Sequence, residues 1–141
     1  MIEIYTDASV SKGNAVATCF VLSSEFFLGC NTFVYDNVSS SLHGELLGIR
    51  DGVAYALESD KSKAPITVYC DSNSALTLVK SKCIDARTSG RFKSILEDIK
   101  KLTKGRCVNY LLIRGHQKEH NPNKVVDLTS NSVLRLNSRK K

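Results

Sequence analysis

The stretch IEIYTD (residues 2–7) is a short β-rich run whose last residue is an acid, and it predicts a strand that ends at Asp7. The same pattern returns in ITVYCD (residues 66–71). In both runs a tyrosine precedes the aspartate by two residues, so the acid and the aromatic ring share one face of the strand. If the two strands are parallel neighbours, both carboxylates lie at the same edge of a sheet, where open α/β sheets generally bind ligands.

The sequence around these runs predicts an antiparallel meander followed by strands that are each reached through a helix. After the first strand we expect a turn at residues 11–14 and strands at 15–22 and 26–35. Apolar residues at three- and four-residue steps then predict a long helix from Leu42, with Ser41 as its cap. The remaining expected elements are helices at residues 73–80 and 92–102, a strand at 108–113 and a last helix at 124–136. Strands joined by helices should lie parallel to the first strand or to its neighbour.

Four acids fall at the boundaries of predicted elements. Asp7 and Asp71 end strands, and Glu45 and Asp127 lie in the first turns of predicted helices. Taken singly, such acids often form turns or complement helix dipoles. Brought together, four carboxylates would repel one another strongly unless divalent cations neutralised them. The pattern therefore indicates a Mg²⁺ site.

Composition sets broad limits on the protein. Its 141 residues, 42% of them apolar, are enough for one compact domain spanning residues 1–141. The net charge of +6 suits a phosphate-rich partner. Five cysteines without a CxxC pair favour a reducing cytoplasm and no zinc site, the thiols acting as small hydrophobes. We expect a cytoplasmic protein, since the sequence contains neither a membrane-length apolar run nor a signal-like amino terminus.

Four segments of the chain resemble the motifs of type 1 ribonuclease H in order and spacing. They are IYTDAS, HGELLGIRDGVAYAL, ITVYCDSNSAL and RGHQKEHNPNKVVDLTSN. The resemblance spans nearly the whole chain and implies a ribonuclease H-like fold, with a mixed five-stranded sheet, a meander plus two parallel strands, flanked by helices. By this resemblance Asp7, Glu45, Asp71 and Asp127 are metal ligands and catalytic residues, and His116 is a mobile proton-handling residue.

The resemblance implies an endonuclease that hydrolyses the RNA strand of RNA–DNA hybrids with two Mg²⁺ ions, which Mn²⁺ can replace. We expect a monomer. Two hard cations about 4 Å apart activate a water and stabilise the leaving oxygen around one phosphate, and carboxylates suit them as ligands. His116 can move a proton near neutral pH. His120 is its rival on the same loop, and His43 is expected to be an exposed residue of the first helical turn.

Substrate recognition is where the sequence departs from the family pattern. The stretch SSSLHG (residues 39–44) replaces the asparagines that often precede the helix glutamate, and Ala8 follows Asp7 where the family often has glycine. Predicted substrate contacts are Asn14, Ser40, Ser41 and Asn73. The basic rim is thin and consists of Lys80, Lys82, Arg87, Arg91 and Lys93, with a basic tail from about residue 135. Two alternatives stay open: a nuclease of this fold that acts on DNA or junctions, and a non-catalytic hybrid-binding domain.

Overall fold

The structure, a computed structural model, describes residues 1–24, 26–81 and 90–113. The predicted last helix and the basic tail lie outside the described residues. Within them the elements are, in chain order, β1 (Ile2–Ser11), β2 (Asn14–Ser23), β3 (Phe26–Tyr35), α1 (Ser41–Ser59), β4 (Ile66–Cys70), α2 (Asn73–Lys80), α3 (Gly90–Leu102) and β5 (Val108–Leu112).

The five strands form one mixed sheet in the order β3-β2-β1-β4-β5. β1, β2 and β3 are an antiparallel meander, whereas β4 pairs parallel to β1 and β5 pairs parallel to β4. A two-residue turn, Lys12-Gly13, joins β1 to β2 with φ angles of 51° and 79°. Two positive φ values are typical of the tight hairpin turns that match the twist of paired strands. The predicted mixed five-stranded sheet is confirmed.

The first strand is longer than predicted. β1 continues four residues past Asp7 to Ser11, where the sequence predicted that it ends at the acid. The physical reason is the hairpin, because β2 pairs with β1 along its whole length, from Ile2↔Ser23 to Ser11↔Asn14. Asp7 is therefore an interior residue of a hairpin strand, and only its pairing with β4 has ended.

Helix α1 lies unusually close to the sheet. Its inner face carries glycines at four-residue steps, namely Gly44, Gly48 and Gly52. A Cβ added to each in turn would lie 2.8 Å from Val10 Cγ2, 2.9 Å from Ala17 Cβ and 3.0 Å from Thr6 Cγ2. Such distances leave no room for a larger side chain. The close approach brings Glu45, next to the first glycine, within reach of the β1 backbone.

The hydrophobic core lies between the sheet and the helices on this face. Ile4 of β1, Val68 of β4, Ile49 of α1 and Ile99 of α3 are all at most 2% exposed. Each buried aliphatic side chain contributes about 1.5–3 kcal/mol relative to an exposed one. The core therefore holds α1 against β1 and β4. Glu45 lies on α1, Asp7 lies on β1, and Asp71 directly follows β4. Among the described residues, no helix has the length and apolar character needed to cross a membrane.

Candidate active site

The register of the two parallel strands places Asp7 and Asp71 level with each other. β1 and β4 pair from Ile2↔Ile66 to Tyr5↔Tyr69. Each aspartate lies two residues beyond that last pair, on the same side of its strand as the tyrosine. By this register both acids follow the same end of the β1–β4 pairing.

A stacked tyrosine pair supports the ends of the two strands. The rings of Tyr5 and Tyr69 have centroids 4.5 Å apart and lie 10° from parallel. Tyr5 Oη donates to Glu3 Oε2 at 3.4 Å. Burial, followed by the nearby Glu3, raises the pKa of Tyr5 to about 12. The pair therefore stays uncharged and packs as aromatic surface beside the acids.

Glu45 enters the site from α1. Ser40, and not the predicted Ser41, caps this helix, since Ser40 Oγ accepts a hydrogen bond from His43 N at 3.2 Å. Glu45 is consequently the fifth residue of α1 and lies in its second turn, where the sequence predicted the first. Its side chain is only 8% exposed, and Oε1 accepts a hydrogen bond from the Ala8 backbone N at 3.3 Å.

Glu45, Cys70 and Asp71 converge. Each offers one ligand atom, and the three atoms lie within 4.8 Å of one another. Burial, and next the charge of Asp71, raise the pKa of Glu45 far above its ordinary range. Asp71 itself is exposed at the end of β4. A buried acid and an exposed acid thus meet at the surface of the sheet edge.

Asp7 lies on the buried side of the same cluster. It is 2% exposed, and its side chain lies close enough to that of Glu45 to affect the pKa of Glu45. Carboxylates held this close repel one another unless a cation neutralises them. The structure therefore brings together three of the four predicted acids.

Cys70 is the residue of the cluster that the sequence analysis missed, having treated it as a small hydrophobe. It is fully buried and its thiol donates to Glu45 Oε2, with 3.5 Å between sulfur and oxygen. Burial, and next the charge of Glu45, raise the pKa of Cys70, which keeps the thiol protonated. The available signal was its position directly before Asp71, because strand alternation turns it toward the helix.

His43 is buried, and the prediction that it is exposed is wrong. It is 6% exposed, and its Nδ1 accepts from the Ser39 backbone N at 3.0 Å. Its ring lies 5.7 Å, between centroids, from that of Phe92 in α3. Burial, then the charges of Arg91 and Arg50, lower the pKa of His43. The contact with α3, which sequence spacing could not reveal, is the physical reason.

The predicted substrate contacts lie where elements begin. Ser40 and Ser41 are exposed at the start of α1, and Asn73 is exposed as the first residue of α2. Asn14 begins β2, directly after the hairpin turn. A backbone hydrogen bond of 2.9 Å from Val38 N to Gly13 O ties that turn to the loop before α1. Asn14 and the two serines are thus on neighbouring segments.

Two of the predicted catalytic residues, Asp127 and His116, lie outside the described residues, as does the rival His120. Their roles stay predictions from the sequence.

The donor set fits a hard divalent cation. Mg²⁺ prefers oxygen ligands, which Asp7, Glu45 and Asp71 supply, and it takes few protein ligands because it keeps several waters. Cys70, a neutral thiol that is already donating to Glu45, is not a ligand for such an ion. The acids alone are the candidate ligands.

Comparisons with known proteins agree on the fold. No protein-family model and no curated protein sequence matches this chain. Among solved structures, RNase H1 from the halophilic archaeon Halobacterium salinarum superposes with a TM-score of 0.77 at 11% identity, covering 95% of this chain and 97% of its own. The N-terminal RNase H domain of a Mycobacterium tuberculosis protein gives 0.80 at 14% identity, covering 99% and 96%. LC11-RNase H1, solved in complex with an RNA/DNA hybrid, gives 0.72 at 14% identity, covering 95% and 99%. The chain has the ribonuclease H fold over nearly its whole length.

Proposed function

We propose that this protein is a metal-dependent endonuclease that cleaves the RNA strand of RNA–DNA hybrids. The observation that carries the proposal is the acid cluster, in which ligand atoms of Glu45 and Asp71 lie within 4.8 Å of each other. Buried Asp7 adjoins them. Placing such carboxylates together is costly without a cation. The shared fold with an RNase H1 solved on a hybrid supports the choice of substrate.

Asp7, Glu45 and Asp71 would hold Mg²⁺ or Mn²⁺, with Asp127 as the fourth ligand expected from the sequence. When bound, a pair of such ions supplies charge stabilisation at the scissile phosphate and lowers the pKa of a bound water. Of the three described acids, Asp71 is exposed and faces the side from which a phosphate can approach. Glu45 and Asp7 are buried and form the side of the cluster that faces the protein interior.

The protein itself contributes orientation and charge. The Ala8 N–H holds one oxygen of Glu45, which keeps the carboxylate aimed at the cluster. Burial, and next the charges of Arg91 and Arg50, lower the pKa of His43, so these two basic side chains lie near the start of α1. Basic side chains such as Arg91 favour binding of a phosphate backbone. His116 is proposed, from the sequence, to move a proton during turnover.

A cleavage assay with matched substrates tests the function. End-labelled RNA–DNA hybrid, duplex DNA, duplex RNA and junction DNA of related sequence are incubated with the protein in Mg²⁺, in Mn²⁺ and in EDTA. We expect internal cuts in the RNA strand of the hybrid, in either metal and not in EDTA. Cleavage of junction or duplex DNA with the hybrid intact would overturn the proposed substrate. Hybrid binding without cleavage in either metal would indicate a non-catalytic domain.

Two variants with matched controls connect the activity to the cluster. Asp71→Asn is compared with Asp98→Asn, whose carboxylate lies on α3 and is 48% exposed. Glu45→Gln is compared with Glu58→Gln, which changes an exposed acid at the other end of the same helix. Loss of cleavage only in the cluster variants supports the proposal, whereas equal loss in the controls contradicts it.

A further inference from the structure

Cys70 links two of the proposed ligands through its thiol. Its sulfur accepts a hydrogen bond from the Ser72 backbone N at 3.4 Å and donates to Glu45 Oε2 at 3.5 Å. Ser72 and Cys70 flank Asp71 in the chain, and Ser72 is the N-cap of α2. The thiol is thus fixed by the same short segment that presents Asp71.

The contacts of Glu45 come from two neighbouring strands. The Ala8 N–H of β1 binds Oε1 and the thiol of β4 binds Oε2. A glutamate has three side-chain torsions, and fixing them costs conformational entropy that such contacts offset. Because the two donors approach different oxygens, they define the orientation of the carboxylate as well as its position.

The alternative explanation of Cys70 is ordinary core packing. Buried cysteines often behave as small hydrophobes, and Cys19 of β2 is equally buried. Cys70 differs in its contact with a carboxylate of the cluster. Its thiol donates a hydrogen bond to that carboxylate.

We infer that Cys70 is a positioning residue, whose thiol, held by the Ser72 N–H, orients Glu45 so that it and Asp71 can share one cation. The inference rests on the proposed function and assigns a role within that same site. Cys70 contacts neither substrate nor cation in this role and acts through Glu45. The thiol is a weak donor, so the expected effect lies at the low end for a hydrogen bond.

The test compares the variants Cys70→Ala, Cys70→Ser and Cys19→Ala by the Mg²⁺ concentration that half-saturates the protein in calorimetric titration without substrate, and by the concentration that gives half-maximal hybrid cleavage. Cys70→Ala removes the donor and should raise both concentrations about two- to fivefold, with turnover recovering at saturating Mg²⁺. Cys70→Ser keeps a donor and should lie closer to the unchanged protein. Cys19→Ala removes a buried thiol away from the cluster and should leave the Mg²⁺ dependence unchanged. Melting curves confirm that each variant is folded at the assay temperature.

The outcomes separate this inference from the proposed function. If the unchanged protein shows no metal-dependent cleavage, the proposed function fails and the inference fails with it. If it cleaves but Cys70→Ala keeps the same Mg²⁺ dependence, or shifts no more than Cys19→Ala, only the positioning role is overturned. If Cys70→Ser does not fold, the comparison of the two alanine variants still decides.

Discussion

Glu45 and Asp71 are neighbouring carboxylates in opposite environments. Glu45 is 8% exposed and comes from the inner face of a helix packed on the sheet. Asp71 is exposed and follows directly after a strand. One acid is placed by tertiary packing, through the glycines that let α1 approach the sheet. The other is placed by the end of β4 alone. A cation bound between them would be held by one buried carboxylate and by one that solvent can reach.

The largest expected effect is the loss of activity when either side of this pair is neutralised. Asp71→Asn, Glu45→Gln and Asp7→Asn each keep the side-chain shape but remove a charge that holds the cations. We expect hybrid cleavage to fall by more than about a hundredfold, beyond the range found for outer-shell partners of metal ligands. Single-turnover cleavage rates measure the loss. Substantial residual activity in all three variants would contradict the ligand assignment.

A second prediction contrasts the two acids through pH. The pKa of Glu45 is raised in the folded protein, so the protonated form of this group stabilises the metal-free protein. This contribution to the free energy of unfolding is complete below the ordinary glutamate pKa. That stability is lost as the pH rises toward the raised value, because the buried group must then ionise. Melting temperatures in EDTA should fall over this range, and Mg²⁺ should restore them.

The control for this prediction is the pair of neutralised variants. Glu45→Gln should flatten the pH dependence in EDTA, since no buried carboxyl remains at this position to ionise. Asp71→Asn removes only an exposed charge and should keep a pH-dependent fall, reduced in size. If the two variants behave alike, burial is not the dominant cause of the shift.

The smallest effect concerns the packing that delivers Glu45. Gly48→Ala places a Cβ 2.9 Å from Ala17 Cβ, which cannot rotate away. We expect a loss of about 1–3 kcal/mol in the free energy of unfolding from overpacking, partly offset by the higher helix propensity of alanine. Gly90→Ala on α3 is the control, because nothing lies within 4 Å of its added Cβ. Urea unfolding measures both, and equal stability of the two variants would contradict the close approach of α1.

The sequence predicted the sheet well because its signals are local. Alternating β-rich runs and turn residues defined β3 and α2 at their observed bounds. The period of the apolar residues located α1, although its cap proved to be Ser40. The predicted length of β1 was wrong. The strand continues beyond Asp7 because it pairs with β2 along the whole hairpin, although the local sequence predicts an end at this acid.

The site was predictable only in part, because local sequence patterns do not show which residues are buried or which elements contact each other. The order of acids located Asp7, Glu45 and Asp71. His43 was misjudged because its environment depends on Phe92, which is distant in sequence. Cys70 was missed because a cysteine in an apolar strand is usually interpreted as a core residue, and its contact with Glu45 is visible only in the structure.

Whether Glu45 and Asp71 share a divalent cation can be seen by anomalous X-ray scattering from crystals grown with Mn²⁺. We predict an anomalous peak at the sheet edge with oxygens of both carboxylates in its coordination sphere, and loss of that peak in Asp71→Asn crystals. A peak bound elsewhere would contradict a shared cation, as would an empty cluster at a Mn²⁺ concentration that supports cleavage in solution.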